Sequence, residues 1–179
     1  MFFLRSLFFA LLILCCLPVH TQVNFTDRYP GTVQGARQLL NYILESDFEE
    51  RRVITRELRP TLEDCEYIFE GSLGKKVYRY QRKLDRQAGI VIQPLLKSQT
   101  DLLLWHATTS ELLEYSGEAK NFPGGYHELA QYMSPGLTFY RFKFIQPGRY
   151  LGSAYDMLIF VNGHWRIIHR PWAVMVGQY

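Results

Sequence analysis

Apolar residues recur at helical spacing through the first half of the chain. They form a stripe over residues 32–46, where Thr32 is a candidate N-cap. A second helix is expected from Thr61, because Thr61 can cap it and Asp64 stands at the capping-box position. A third helix is expected from about Leu73 to Ala88. The first half is therefore predicted to be helical.

In the second half of the chain, apolar residues tend to recur at every second position, which predicts β-strands. Branched and aromatic residues are concentrated in residues 89–92, 101–107 and 137–146, and a short helix is expected over 125–133. In residues 155–170, two β-rich runs flank Asn162-Gly163. Asn-Gly predicts a two-residue hairpin, since a type I′ turn needs positive φ at both central residues. The order of elements predicts an α+β fold, with N-terminal helices packed on an antiparallel sheet that ends in this hairpin.

The hairpin register places an acid opposite a histidine. With a two-residue loop, the opposed pairs are Val161 and His164, Phe160 and Trp165, Ile159 and Arg166, Leu158 and Ile167, Met157 and Ile168, and Asp156 and His169. Alternation then puts Asp156 and His169 on an otherwise apolar face with Leu158, Phe160, Trp165 and Ile167. A carboxylate beside an imidazole orients the ring and stabilises its charged form. Asp156 and His169 are therefore candidate catalytic residues, and the alternative is a partly buried ion pair that closes the sheet.

The first 21 residues have the pattern of an export signal. Arg5 precedes an apolar run from Leu7 to Val19, after which the chain becomes polar. We expect cleavage near Thr21, a single domain over residues 22–179, and a secreted or periplasmic protein. The run is shorter than the roughly 20 residues of a membrane-spanning helix, so no stable span is expected after cleavage. The alternative is an uncleaved segment that tethers the domain to a membrane.

Charge and composition restrict the expected partners. The net charge of +3 falls to +2 on loss of Arg5, which is too small for a general nucleic-acid-binding protein. Basic residues do line one face of the third predicted helix: Lys75, Lys76, Arg79, Arg82, Lys83 and Arg86. We interpret them as a solvated face that is compensated by acids of the preceding helix, which are Glu63, Asp64, Glu66 and Glu70. No nucleic-acid partner is expected.

Motifs for common cofactors and metals are missing from the sequence. It has no phosphate loop, no dinucleotide-binding glycine motif and no nucleophile elbow, so no cofactor is expected. The four histidines after the signal lack the i,i+4 spacing of a helical metal site, and no metal is expected. Cys65 is the only cysteine after residue 21, which excludes an internal disulfide there and favours a buried thiol.

The aromatic content of 15% predicts an aromatic-lined core or pocket. The candidate ligand-binding residues are Tyr126, Tyr140, Arg141, Trp165 and Trp172. A small apolar or aromatic molecule is the expected ligand. A catalytic role for the Asp–His pair requires that it border a cavity that is also lined by Tyr140 or Trp172.

Two resemblances extend this interpretation. The element order and the ending from Val161 to Ile168 resemble the NTF2-like (SnoaL-like) superfamily, whose cone-shaped fold wraps a curved sheet around a helix and leaves a pocket. Over roughly residues 58–172 the chain is also similar to a family of exported bacterial proteins with no assigned activity. The motifs that carry this similarity are Leu58-Arg59-Pro60-Thr61 with Asp64, Phe122 to Tyr126, Pro135 to Phe144, Pro147-Gly148 and Pro171-Trp172. The resemblances imply a cone fold and export, and they leave function open.

Three functions follow as alternatives. The first is an exported, non-catalytic domain that binds a small ligand or a partner. The second is a cofactor-free isomerase or hydrolase of the SnoaL-like kind, which would use the Asp156 and His169 pair for proton transfer. The third is a structural exported protein without a ligand. The first two differ in whether an acid and a histidine face each other within a pocket.

Overall fold

The computed structural model describes residues 24–175. The predicted export signal lies outside the described residues. None of the helices within residues 24–175 has both the length and the apolar character needed to cross a bilayer.

Helices form the first half of the described chain and also interrupt the second. They are α1 (Val33–Glu45), α2 (Phe48–Glu57), α3 (Leu62–Ile68), α4 (Leu73–Ala88), α5 (Thr109–Glu114) and α6 (Gly125–Ala130). Short 3₁₀ turns lie at Phe25–Arg28, Gly117–Asn121 and Pro171–Val174. The predicted caps are confirmed. The Thr32 hydroxyl accepts from the Gly35 N–H, and Thr61 and Asp64 form a reciprocal capping box.

Helix α2 was not expected from the sequence. It begins after Asp47, whose carboxylate accepts a hydrogen bond from the Glu50 N–H. Within it only Ile54 and Thr55 are buried, so the helix carries almost no apolar stripe. The capping residue, rather than periodicity, is the local signal for this helix.

Four strands form an open antiparallel sheet in the order β1 (Asp101–Thr108), β2 (Thr138–Ile145), β3 (Gly152–Val161) and β4 (His164–Ile167). The predicted α+β class is confirmed. The predicted strand at residues 89–92 is wrong, because this segment is irregular. The Ile92 N–H donates to the Thr55 hydroxyl of α2 at 3.0 Å instead of to a neighbouring strand.

The Asn-Gly hairpin is confirmed. Asn162 and Gly163 have φ values of 51° and 81°, and the pairs from Val161 and His164 to Leu158 and Ile167 lie in the predicted register. Beyond Leu158 the regular ladder ends, and one backbone hydrogen bond, from the Ile168 N–H to the Met157 carbonyl at 3.1 Å, continues it.

Helices cover both faces of the sheet. On one face, here called the α4 face, Phe139, Met157 and Ile159 pack in a cluster with residues of α3, α4, α5 and α6. On the other, the α1 face, Phe142, Leu158 and Trp165 pack with residues of α1 and α2. The sheet therefore lies between two apolar clusters.

A β-bulge in β3 changes the predicted placement of Asp156. Tyr140 of β2 is opposite Leu158, but Phe142 is opposite Tyr155, so Asp156 and Met157 together face the single residue Arg141. Met157 adopts a φ of 58°, which is uncommon for a residue other than glycine. The extra residue moves Asp156 onto the α4 face. Its predicted place on the face of Leu158 and Trp165, and its predicted pairing with His169, are therefore wrong.

Candidate functional site

Arg141, rather than His169, is the ionic partner of Asp156. The Arg141 Nε and Asp156 Oδ1 atoms lie 2.9 Å apart, and both side chains are largely buried. The N–H does not meet hydrogen-bond geometry at that oxygen, and both atoms lack a hydrogen-bond partner. Burial raises the pKa of Asp156, and the positive charge of Arg141 opposes that rise.

The hydroxyl of Tyr126 belongs to the same polar cluster. Tyr126 is completely buried, and within the described residues its hydroxyl has no hydrogen-bond partner. Burial and the negative charge of Asp156 raise its pKa well above the usual value, while Arg141 opposes the rise. The ring packs edge-on against Trp172, with centroids 5.0 Å apart. We refer to Tyr126, Arg141 and Asp156 as the polar cluster. Such unpaired buried groups are costly and are found at functional sites.

A pocket of about 320 Å³ opens beside this cluster. It lies between α4 and β3, and the segment after β4 completes it. Its lining residues are Tyr80, Leu84, Ile90, Ala154, Tyr155, Asp156, His169 and Arg170. Tyr80 and aliphatic side chains supply the apolar walls, and Asp156, His169 and Arg170 supply the polar groups. The ring of Tyr155 packs on the α1 face, stacked on Phe142. Asp156 thus belongs to both the pocket and the polar cluster.

Burial holds His169 in its neutral form. It lowers the pKa of the imidazole to about 4, and no charged neighbour contributes to the shift. The backbone of His169 is fixed by the buried side chain of Gln81. This side chain accepts a hydrogen bond from the His169 N–H and donates one to the His169 carbonyl, each at 2.9 Å. The pocket therefore contains a well-positioned neutral imidazole without an acidic partner.

The five predicted ligand-binding residues do not converge on one site. Tyr126, Arg141 and Trp172 lie on the α4 face, whereas Tyr140 and Trp165 are buried on the α1 face, with ring centroids 5.4 Å apart. None of the five lines the pocket. The buried tyrosines and Trp165 are core residues. The pocket contains three residues that were not predicted, Tyr80, Leu84 and Tyr155, although the i,i+4 spacing of Tyr80 and Leu84 on α4 is a signal for the first two.

A second buried ion pair, between Asp64 and Arg166, fixes the hairpin to α3. The Asp64 carboxylate accepts hydrogen bonds from Arg166 Nε at 2.6 Å, Asn162 Nδ2 at 2.9 Å and the Thr61 N–H at 2.9 Å. Both charged side chains are sealed from solvent, which makes this pair structural. Asp64 therefore does not compensate the basic face of α4 as predicted. Among the predicted compensating acids, Glu66 approaches that face, at 3.7 Å from Lys75.

The other histidines have separate partners. His106 lies 3.0 Å from Glu118, His164 lies 2.8 Å from Asp27, and His127 contacts the Leu112 carbonyl. Within residues 24–175, no three His, Cys, Asp or Glu side chains are close enough to hold a metal ion.

Cys65 is expected to be unreactive in the folded protein. The thiol is buried, and burial together with the charges of Asp64 and Glu66 raises its pKa to about 12. A thiol reagent such as 5,5′-dithiobis(2-nitrobenzoate) should therefore modify it only after unfolding in urea, as followed by absorbance. A Cys65→Ser chain measured in parallel subtracts any reaction at Cys15 and Cys16. Rapid native labelling that disappears in Cys65→Ser would contradict a sealed thiol.

Comparison with protein-family models, curated proteins and solved structures gives no match for this chain.

Proposed function

We propose that this chain is a non-catalytic binding domain that takes a small ligand in the pocket between α4 and β3. The observation that carries the proposal is the composition of the pocket: tyrosine and aliphatic walls, with Asp156, His169 and Arg170 as its polar groups. Ligand sites are usually concave and apolar, with a few polar groups that orient the ligand. At about 320 Å³, the pocket lies at the lower end of the range of small-molecule sites. The proposed ligand has an aromatic or apolar body and one polar end.

The ionisation of the pocket argues against the Asp–His enzyme. A general base needs a pKa near the working pH, and His169 has a pKa of about 4. The carboxylate that would orient its ring is instead paired with Arg141. Asp156 and His169 therefore act, in this proposal, as hydrogen-bonding groups for a ligand and not as a proton relay.

The proposal includes an NTF2-like cone and export from the cytoplasm. The cone is supported by four helices that precede an antiparallel sheet and by a pocket beside that sheet. Export is supported by the apolar N-terminal pattern and by a domain whose only thiol is buried.

The pocket can be tested with 8-anilinonaphthalene-1-sulfonate, a fluorescent aromatic anion. We expect saturable binding by the full chain, and we expect Ala154→Phe to weaken it by about tenfold or more, because the added ring occupies the pocket. Ser110→Phe places the same ring on an exposed position of α5 and should leave binding unchanged. Dye binding that survives Ala154→Phe, or no dye binding at all, would contradict the proposal.

Mass spectrometry of small molecules that co-purify with the chain identifies the natural ligand. If the unsubstituted chain converts that molecule to a product and Asp156→Asn does not, the enzyme alternative replaces the binding proposal. If no molecule is retained and the dye does not bind, the structural alternative is favoured.

A further inference from the structure

Two loops at one end of the sheet expose large apolar side chains. The loop at 93–100 leads into β1, and the loop at 146–151 joins β2 to β3. Asp101 is opposite Ile145 and Ile145 is opposite Gly152, so both loops extend from the same end. The exposed side chains are Leu95 (73%), Leu96 (56%), Tyr150 (59%) and Leu151 (83%). We call these four residues the apolar tip.

The apolar tip is held on an ordered base. The buried side-chain oxygen of Gln99 accepts hydrogen bonds from the N–H groups of Leu95 and Leu96 and from the Ser153 hydroxyl, at 2.7, 3.2 and 2.6 Å. Gln146 Nε2 also joins the two loops through the Ser98 hydroxyl, at 2.6 Å. The exposure of the leucines is therefore built into the fold, since their backbone positions are fixed while their side chains face solvent.

Basic residues surround the apolar tip. Lys97 and Arg149 lie within the two loops, and Arg51 lines a shallow groove with Leu95, Leu96 and Lys97. Lys143 places its Nζ atom 4.2 Å from the Tyr150 ring centroid. Neither loop contains Asp or Glu, and Asp101 follows the first loop as the first residue of β1. The end of the sheet thus combines exposed leucine and tyrosine side chains with an excess of positive charge.

We propose that the apolar tip docks on an anionic lipid surface. Leu95, Tyr150 and Leu151 would enter the boundary between headgroups and acyl chains, while Lys97 and Arg149 contact lipid phosphates. Apolar side chains bordered by Lys and Arg are the combination that favours such surfaces, through buried apolar area and charge attraction together. Tyrosine also suits the interface, because its ring is apolar and its hydroxyl remains hydrated.

The charge distribution favours a lipid surface over a second copy of the chain. A symmetric dimer through the apolar tip would bring Lys97 and Arg149 of both copies together, and like charges at an interface oppose association. The groove between the two loops shares no lining residue with the ligand pocket. The proposal of lipid docking and the proposal of ligand binding can therefore fail independently.

Vesicle flotation tests the proposal with the full chain. We expect binding to vesicles of equal parts phosphatidylcholine and phosphatidylglycerol, and a partition coefficient lowered about tenfold or more by Leu95→Ser with Leu151→Ser. Lys97→Glu with Arg149→Glu should lower it by about tenfold at low salt and less at high salt. Lys76→Glu with Lys83→Glu makes the same charge change on the exposed basic side of helix α4 and should alter the partition coefficient by less than about twofold.

A local probe separates tip insertion from any binding by residues 1–23, which are common to all variants. In Leu151→Trp, brominated phosphatidylcholine in the anionic vesicles should quench fluorescence beyond the quenching seen for the unsubstituted chain. No added quenching, or equal partitioning of the Leu95→Ser, Leu151→Ser chain, would overturn the proposal. So would a dimer, detected by light scattering, that these two serine substitutions abolish.

Discussion

Replacing Arg166 with methionine is expected to lower the free energy of unfolding by about 3–5 kcal/mol. The substitution leaves the Asp64 carboxylate buried with hydrogen bonds from Thr61 and Asn162 but without its cation. It also removes the hydrogen bond from Arg166 Nη1 to the Glu57 carbonyl, at 3.0 Å. Urea denaturation followed by circular dichroism measures the change.

Arg52→Met is the matched control for this experiment. Arg52 pairs with Glu49 at 2.8 Å, but both side chains are exposed, so its loss should cost less than about 1 kcal/mol. Equal losses of unfolding free energy in Arg52→Met and Arg166→Met would show that the buried pair of Asp64 and Arg166 stabilises the fold no more than an exposed pair does.

The pH dependence of stability reports the same pair. Burial alone would raise the pKa of Asp64, but hydrogen bonds from Thr61, Arg166 and Asn162 outweigh it, and the pKa is lowered. A lowered folded pKa gives stability that is present above the unfolded value of about 3.9 and is lost as the pH falls through the folded value. Arg166→Met should therefore reduce the loss of stability that the unsubstituted chain shows in acid.

Trp165→Ala is the second large expected effect, at about 3–5 kcal/mol of unfolding free energy. Trp165 is fully buried and packs edge-on against Tyr140 and Phe160, with centroids 5.4 and 5.3 Å apart. Its Nε1–H donates to the Tyr29 carbonyl at 2.8 Å, so truncation leaves both a cavity and a carbonyl without its donor.

Two variants serve as comparisons for Trp165→Ala: one tests the contribution of the indole hydrogen bond and the other tests the contribution of burial. Trp165→Phe keeps much of the apolar contact and should cost about 1–2 kcal/mol, and Trp105→Ala, at a partly exposed position, should cost less than Trp165→Ala. Chemical denaturation of the three chains checks this order. If Trp105→Ala were the more damaging substitution, the assignment of Trp165 to the centre of the α1 face would be wrong.

The parts of the fold that depend on local chemistry could be predicted. Asn162-Gly163 fixed the hairpin and its register, because few residues accept two consecutive positive φ values. Thr32 and Thr61 marked the starts of two helices, because their hydroxyls satisfy N–H groups at the first turn.

The candidate site depended on an irregularity that the sequence does not mark. Positive φ at Met157 is not expected for methionine, so the bulge could not be predicted, and regular alternation was extended too far along β3. Asp156 therefore pairs with Arg141 of β2, which the sequence indicates only as a ligand-binding candidate. The pocket itself depends on how α4 packs beside β3, which periodicity within either element does not specify.

The bulge adds one residue to β3 and so reverses which side chains face α4 in the part of the strand that precedes it, as far as Ser153. Without the extra residue, Ser153 and Tyr155 would have the same parity as Ile159 and would face α4. With it, the Ser153 hydroxyl reaches Gln99, and the Tyr155 hydroxyl exchanges hydrogen bonds with the backbone of Gln93, at 2.8 and 3.1 Å. A single inserted position thus anchors both ends of the loop that presents Leu95, while it turns Asp156 towards the pocket.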